Sequence, residues 1–235
     1  MSVDRAEVAA AVATARARID RAAAGRAVEL IAVTKGFGRD AIDAAVAAGC
    51  RSIGENYAQE LVAKLAADDS PHPPQEPQPT TSVRPVVHFI GQLQTNKVRT
   101  IATLVDVWQT VDRAGLADEI ARRAPHARVF VQVNTTAEDA KGGCPPHATA
   151  TLVEHCRTND LVVEGLMTVG PTSVDVAATH AAFALLDSLA DDVGVAGRSM
   201  GMSADFEIGI AHGATHVRIG SALFGTRPHR RAQIG

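Results

Sequence analysis

Lysine is scarce in this chain and arginine is not: of 23 basic side chains only Lys35, Lys64, Lys97 and Lys141 carry an amine. A guanidinium cannot replace an amine that must attack an aldehyde, so each lysine is a candidate for such chemistry. Lys35 is the sharpest of them, because it closes the apolar run VELIAVTK and precedes Gly36-Phe37-Gly38. An amine at the end of such a run lies in a confined, partly desolvated place. Desolvation lowers a lysine pKa and supplies the neutral amine that a Schiff base requires. The plain alternative is a strand-end lysine that reaches into solvent.

A second group of residues suits an anion. SMGMSADFE (199–207) places Gly201 and Ser203 after a short apolar run, with Ser203 expected to cap the next helix. RIGSALFG (218–225) places Gly220 and Ser221 at the start of another. Small residues at two neighbouring helix N-termini expose backbone N–H groups that favour a phosphate, although capping alone would also account for both serines. Arg218 lies inside an apolar strand and needs a ligand or a partner such as Glu55 or Glu164. Asn56, His88, Gln92 and Asn96 are further polar groups at strand ends, where capping is the alternative use.

Two other chemistries are weaker. GFGRDA (36–41) imitates a dinucleotide fingerprint, with Glu55 near the position of a ribose-binding acid, but a lysine directly before it is foreign to that pattern. Cys144, His147, His155 and Cys156 have ligand chemistry, yet their spacing matches no standard zinc site and no metal is expected.

These residues need a scaffold that brings strand ends together. Short β-rich runs alternate with Ala-rich helical stretches eight times, at 28–35, 50–56, 86–91, 105–112, 127–134, 161–169, 197–203 and 214–225. A helix over about 4–24 precedes them. Continuous apolar strands alternating with helices indicate a parallel sheet covered on both faces, and eight units favour a closed (β/α)8 barrel over an open sheet. Chemistry then belongs at the strand ends, with phosphate after the seventh and eighth strands. The segment 68–85 holds six of the eleven prolines and reads as a surface insertion in one barrel domain spanning 1–235.

The chain has 235 residues, 46% of them hydrophobic, and a formal charge of −3. That charge argues against non-specific nucleic-acid binding. The absence of a long apolar run argues against a membrane span, and the N-terminal stretch lacks the apolar core of a secretory signal. Three widely spaced cysteines argue against a disulfide framework, which leaves a cytoplasmic protein as the expectation.

AVTK (32–35), GENYAQE (54–60), HFIGQLQTNK (88–97), GLMTVG (165–170), SMGMSADFE and VRIGSALFG occur in one order along the chain. Together they resemble the pyridoxal 5′-phosphate (PLP) homeostasis protein family, relatives of the N-terminal barrel of alanine racemase. The resemblance implies a PLP fold type III barrel that carries PLP on Lys35 as an internal aldimine. It also implies that Ser203, Gly220 and Ser221 hold the phosphate, that Arg218 faces the pyridine nitrogen, and that Asn56, His88, Met167 and Met200 line the pocket. Lys141 matches a second family lysine, a possible transient PLP acceptor. The implied function is PLP storage or delivery by a monomer, with apo PLP-dependent enzymes as transient partners and without turnover. Gly36-Phe37-Gly38 and the long 68–85 segment depart from the family pattern.

A racemase is the alternative. It would need a second acid/base, a tyrosine from an additional β-domain of a partner subunit, whereas this sequence contains only Tyr57 and runs ten residues past RIGSALFG. A guanidinium beside the pyridine nitrogen disfavours its protonation and weakens the ring as an electron sink, which suits a carrier better.

Overall fold

The computed structural model describes residues 3–65, 84–173 and 175–226. Of the proline-rich 68–85 segment, only Arg84 and Pro85 fall within these residues. The chain begins with helix α1 (Arg5–Ala23), whose N-cap Asp4 accepts from Ala6 N at 2.7 Å. Val8, Val12, Ala15, Ile19 and Ala23 recur at helical spacing and bury one stripe. Left-handed Ala24 ends the helix, as C-cap.

Eight strands follow: β1 (Glu29–Val33), β2 (Ser52–Glu55), β3 (Val86–Phe89), β4 (Val107–Val111), β5 (Arg128–Gln132), β6 (Val162–Met167), β7 (Gly197–Met202) and β8 (His216–Ile219). Neighbours in sequence are parallel neighbours in the sheet, and β8 closes on β1 through Glu29–Ala32 paired with His216–Ile219. The expected closed (β/α)8 barrel with an extra N-terminal helix is therefore the observed architecture.

The connecting helices are α2 (Arg39–Ala47), α3 (Ala58–Leu65), α4 (Val98–Ile101), α5 (Ala114–Arg123), α6 (Thr149–Thr158), α7 (Val176–Asp192) and α8 (Phe206–Ala211), with α9 (Ser221–Phe224) after β8. Helix α1 packs against α2, α8 and α9 and so covers the seam where first and last strands meet. The stretch QTNKVRTIATL forms only one 3₁₀ turn, Thr95–Lys97, and the single turn of α4.

Side chains alternate across each strand. On β1, Leu30 and Ala32 join the large cluster between strands and helices, whereas Ile31 and Val33 are buried outside it. Inside the barrel, Phe130 packs with Val107 and Met167 and meets the His216 ring edge-on at 5.1 Å. Here β6 and β7 approach so closely that a Cβ at Gly165 would stand 2.1 Å from Gly197 O. Only glycine fits there. No helix among the described residues is long and apolar enough to cross a membrane.

Candidate functional site at the C-terminal mouth of the barrel

Strand β1 ends at Val33, and continuing its alternation carries Lys35 to the inner side of the rim. Lys35 is partly buried in the turn before α2. Its loop is fixed from outside. Gly36, at φ 78°, donates its N–H to Glu60 Oε2 at 2.8 Å, and Phe37 N donates to Thr34 O.

Glu55, the last residue of β2, faces outward beneath that loop. It accepts from Thr34 Oγ1 and from Lys64 Nζ, both at 2.6 Å, while Lys64 Nζ also donates to Thr34 O. Burial raises the Glu55 pKa against the opposing pull of Lys64. This pairing removes the dinucleotide reading: the acid it needs is consumed in an ion pair, and the Gly36 N–H already serves a carboxylate. It also settles the role of Lys64, a structural cation.

The last strand supplies the opposite arrangement. Arg218 is buried inside the barrel, with Nη1 donating to Ser199 Oγ at 2.6 Å and Nη2 to Thr168 O at 2.7 Å. Among the described residues it has no ion pair. Glu55 is held by Lys64, and Glu164 lies beside Arg128 at 2.5 Å. Burial lowers the Arg218 pKa to about 10, with Asp205 opposing, so the guanidinium remains charged at neutral pH.

Beyond Arg218 a buried relay crosses the barrel. Ser199 Oγ donates to Gln109 Oε1 at 2.7 Å, which leaves Gln109 Nε2 to donate to His88 Nδ1 at 2.9 Å. Every polar atom in this chain has one consistent role, with His88 neutral and protonated at Nε2. Burial, helped by His216 and Arg128, lowers the His88 pKa to about 3; burial lowers His216 to about 4. Gln109 and Ser199 escaped the sequence reading, although each is a polar residue inside an apolar strand.

Near the end of β7 stands Gly201, at φ +93°, where a Cβ would stand 2.7 Å from Phe206 Cα. Ser203 is not the cap of α8; that position is Asp205, whose Oδ1 accepts from Met202 N at 2.6 Å. The carboxylate thus takes the Met202 N–H for itself. Ser203 Oγ instead lies 3.4 Å from both Gly220 N and Ala222 N, at the start of α9. These contacts are longer than ordinary hydrogen bonds, so two backbone donors and a hydroxyl converge without saturating one another. Gly220 backs this cradle against β1, where a Cβ would touch Val33 at 3.3 Å.

The remaining expected residues divide. Ser221 opens α9, Met167 packs inside the barrel, and Asn56 follows β2 at the rim with a buried Oδ1 that lacks a partner. Met200, by contrast, joins the cluster between strands and helices, so its side chain does not line the interior. Lys141 lies in the β5–α6 loop, where Nζ donates to Glu138 Oε1 at 2.8 Å and to Gly170 O. Glu138 also accepts from Thr172 N and Oγ1, and the Lys141 hydrogen bond, joined by these two, lowers its pKa to about 2. Among the described residues no group of three or more His, Cys, Asp or Glu could hold a metal ion.

Sequence and structure comparisons place the chain among known proteins. The family model for the alanine racemase N-terminal domain matches residues 3–228. The pyridoxal phosphate homeostasis protein of Pseudomonas aeruginosa is 39% identical, covering 93% of this chain and 95% of that protein. The human protein of the same name is 35% identical over 86% of this chain and 78% of its own length. PipY of Synechococcus elongatus, solved with PLP bound, is 30% identical with a TM-score of 0.76, covering 93% of this chain and all of that one. Alanine racemase from Corynebacterium glutamicum shares the fold, with a TM-score of 0.69 at 17% identity, and this chain covers 65% of it. The chain belongs to the alanine racemase N-terminal domain family and, within it, to the pyridoxal phosphate homeostasis proteins.

Proposed function

We propose that this protein binds PLP through Lys35 and takes part in its homeostasis as a carrier, without catalytic turnover. The observation that carries the reading is Arg218, a buried guanidinium whose hydrogen-bond partners are neutral. A charge kept in the interior without a counterion calls for a ligand to complete its shell. A pyridine nitrogen is such a ligand, as it accepts a hydrogen bond while remaining unprotonated.

The fit extends to the other groups. Ser203 Oγ with the N–H groups of Gly220 and Ala222 forms an anion cradle, and Ser221 stands beside it. Lys35 follows the strand paired with β8, so amine, cradle and guanidinium share one sector of the mouth. PLP supplies an aldehyde that condenses with amines and a ring that withdraws electrons when its nitrogen is protonated. Arg218 opposes that protonation, while Asn56, His88 and Met167 shape the pocket.

Lys141 is a candidate transient acceptor. Its Nζ is engaged by Glu138 and the Gly170 carbonyl, so it can receive the aldehyde only after release from them. The three free, buried cysteines suit a reducing compartment, and we place the carrier in the cytoplasm as a monomer that meets apo PLP-dependent enzymes transiently.

Borohydride reduction of the PLP-loaded protein followed by mass spectrometry should fix one cofactor mass on Lys35, and Lys35→Ala should lose the label. Labelling of another lysine, or of none, overturns the site. Incubation with single-enantiomer alanine in deuterated water tests the carrier reading separately: sustained α-proton exchange would establish a racemase instead.

A further inference from the structure

A cleft of about 520 Å³ lies apart from Lys35, Ser203 and Arg218 and meets the first site only at Asn56, which lines both. It opens at the same end of the barrel but on another sector, between the β2–α3 loop and the β3–α4 loop. Its volume falls within the range of small-molecule sites.

The walls are built rather than incidental. Arg113, after β4, donates from Nη2 to Leu93 O at 2.9 Å and to Thr95 Oγ1 at 3.1 Å, which ties the second loop down. The first loop rests on Gly91, where a Cβ would stand 2.0 Å from Asn56 O. Thr110 Oγ1 donates to Gly91 O at 2.7 Å and pins that contact. Both rims are thus held by buried or bidentate contacts.

The chemistry of the lining is one-sided. Lys97 and Arg113 contribute two cations, and among the described residues no carboxylate lines the cleft. Arg113 is partly neutralised by Asp112 at 2.6 Å, whereas the Lys97 ammonium has no ion pair or hydrogen bond among the described residues. Gln59, Gln92 and Gln94 supply carboxamides, and Tyr57, 48% exposed, presents an aromatic ring at the edge. Cations favour an anion, carboxamides favour heteroatoms, and an exposed ring favours a flat partner.

We infer that this cleft is a second ligand site, for a small aromatic phosphate ester whose phosphate is held by Lys97. Vitamin B6 phosphates without an aldehyde and mononucleotides are the two sources of that chemistry. The inference does not depend on Lys35 carrying PLP.

The test uses full-length protein loaded with PLP and reduced with borohydride, so that the first site is closed. Its mass spectrum reports on the Lys35 reading before the second titration begins. Calorimetric titration with pyridoxine 5′-phosphate, adenosine monophosphate and inorganic phosphate should then show saturable binding of at least one ring phosphate, tighter than inorganic phosphate. Lys97→Gln should weaken it about tenfold, the effect of losing one charge-assisted hydrogen bond. Pyridoxine phosphate alone binding identifies the B6 source, and adenosine monophosphate alone the nucleotide source. Absence of saturable binding, equal binding of inorganic phosphate, or indifference to Lys97→Gln each overturns the inference.

Discussion

Two cations, Lys64 and Arg218, are buried among the described residues, and they are treated in opposite ways. Lys64 is 6% exposed and meets the Glu55 carboxylate at 2.6 Å, with Glu60 at 3.8 Å. Arg218 is 4% exposed and meets a hydroxyl and a backbone carbonyl. The first charge is complete without any ligand. The second is hydrogen-bonded but not neutralised, at the mouth where strands of the two chain ends meet. A buried charge with its counterion belongs to the framework, and one without it is assigned to the proposed site.

The sharpest way to break this contrast is to remove each cation. Lys64→Met should destabilise the protein by about 3–5 kcal/mol in urea unfolding, because it strands the buried Glu55. Arg218→Met, the smallest effect expected, should change stability by only about 1–2 kcal/mol, since only neutral partners are left behind. Equal losses would show that Arg218 is as structural as Lys64.

Acid gives an intermediate effect and acts on the Arg218 side. The folded pKa values of His88 and His216, about 3 and about 4, lie below their ordinary 6.5. Neutral histidine is therefore favoured by folding, and its contribution is complete above pH 6.5 and lost as pH falls. The unfolded chain takes up protons first, so stability should decline by roughly 1.4 kcal/mol per pH unit for each histidine between about 6 and 4. His88→Gln, which keeps an acceptor for Gln109, should halve that slope in denaturant midpoints measured from pH 7 to 5.

The framework was far more legible than the site. Runs such as ARVFVQVN announce a strand because both faces are buried in apolar surroundings, and eight of them count out the barrel. The same burial hides which residues point inward, since an apolar side chain suits either face. Met200 illustrates this, being outward beside inward Ser199 on a strand whose pairing with β8 shifts register between Ser199 and Met202. Ser203 was identified but given the wrong partner. Its hydroxyl reaches the N–H groups of Gly220 and Ala222, a contact between β7 and β8 turns that no local pattern encodes. Gln109 was missed because its partners, His88 and Ser199, come from β3 and β7.

The pairing of β1 with β8 has a consequence for how the protein comes into being. Lys35 and the proposed anion cradle come from opposite ends of the chain, and neither end meets the other until the last strand docks. During synthesis, a nascent chain would hold Lys35 for most of translation with nothing to orient a cofactor against it. Cofactor capture should thus be the last event of folding, lagging behind secondary structure in a refolding trace. A bound molecule spanning β1 and β8 would act as a clasp on the barrel's final joint, so cofactor supply and barrel closure would report on each other.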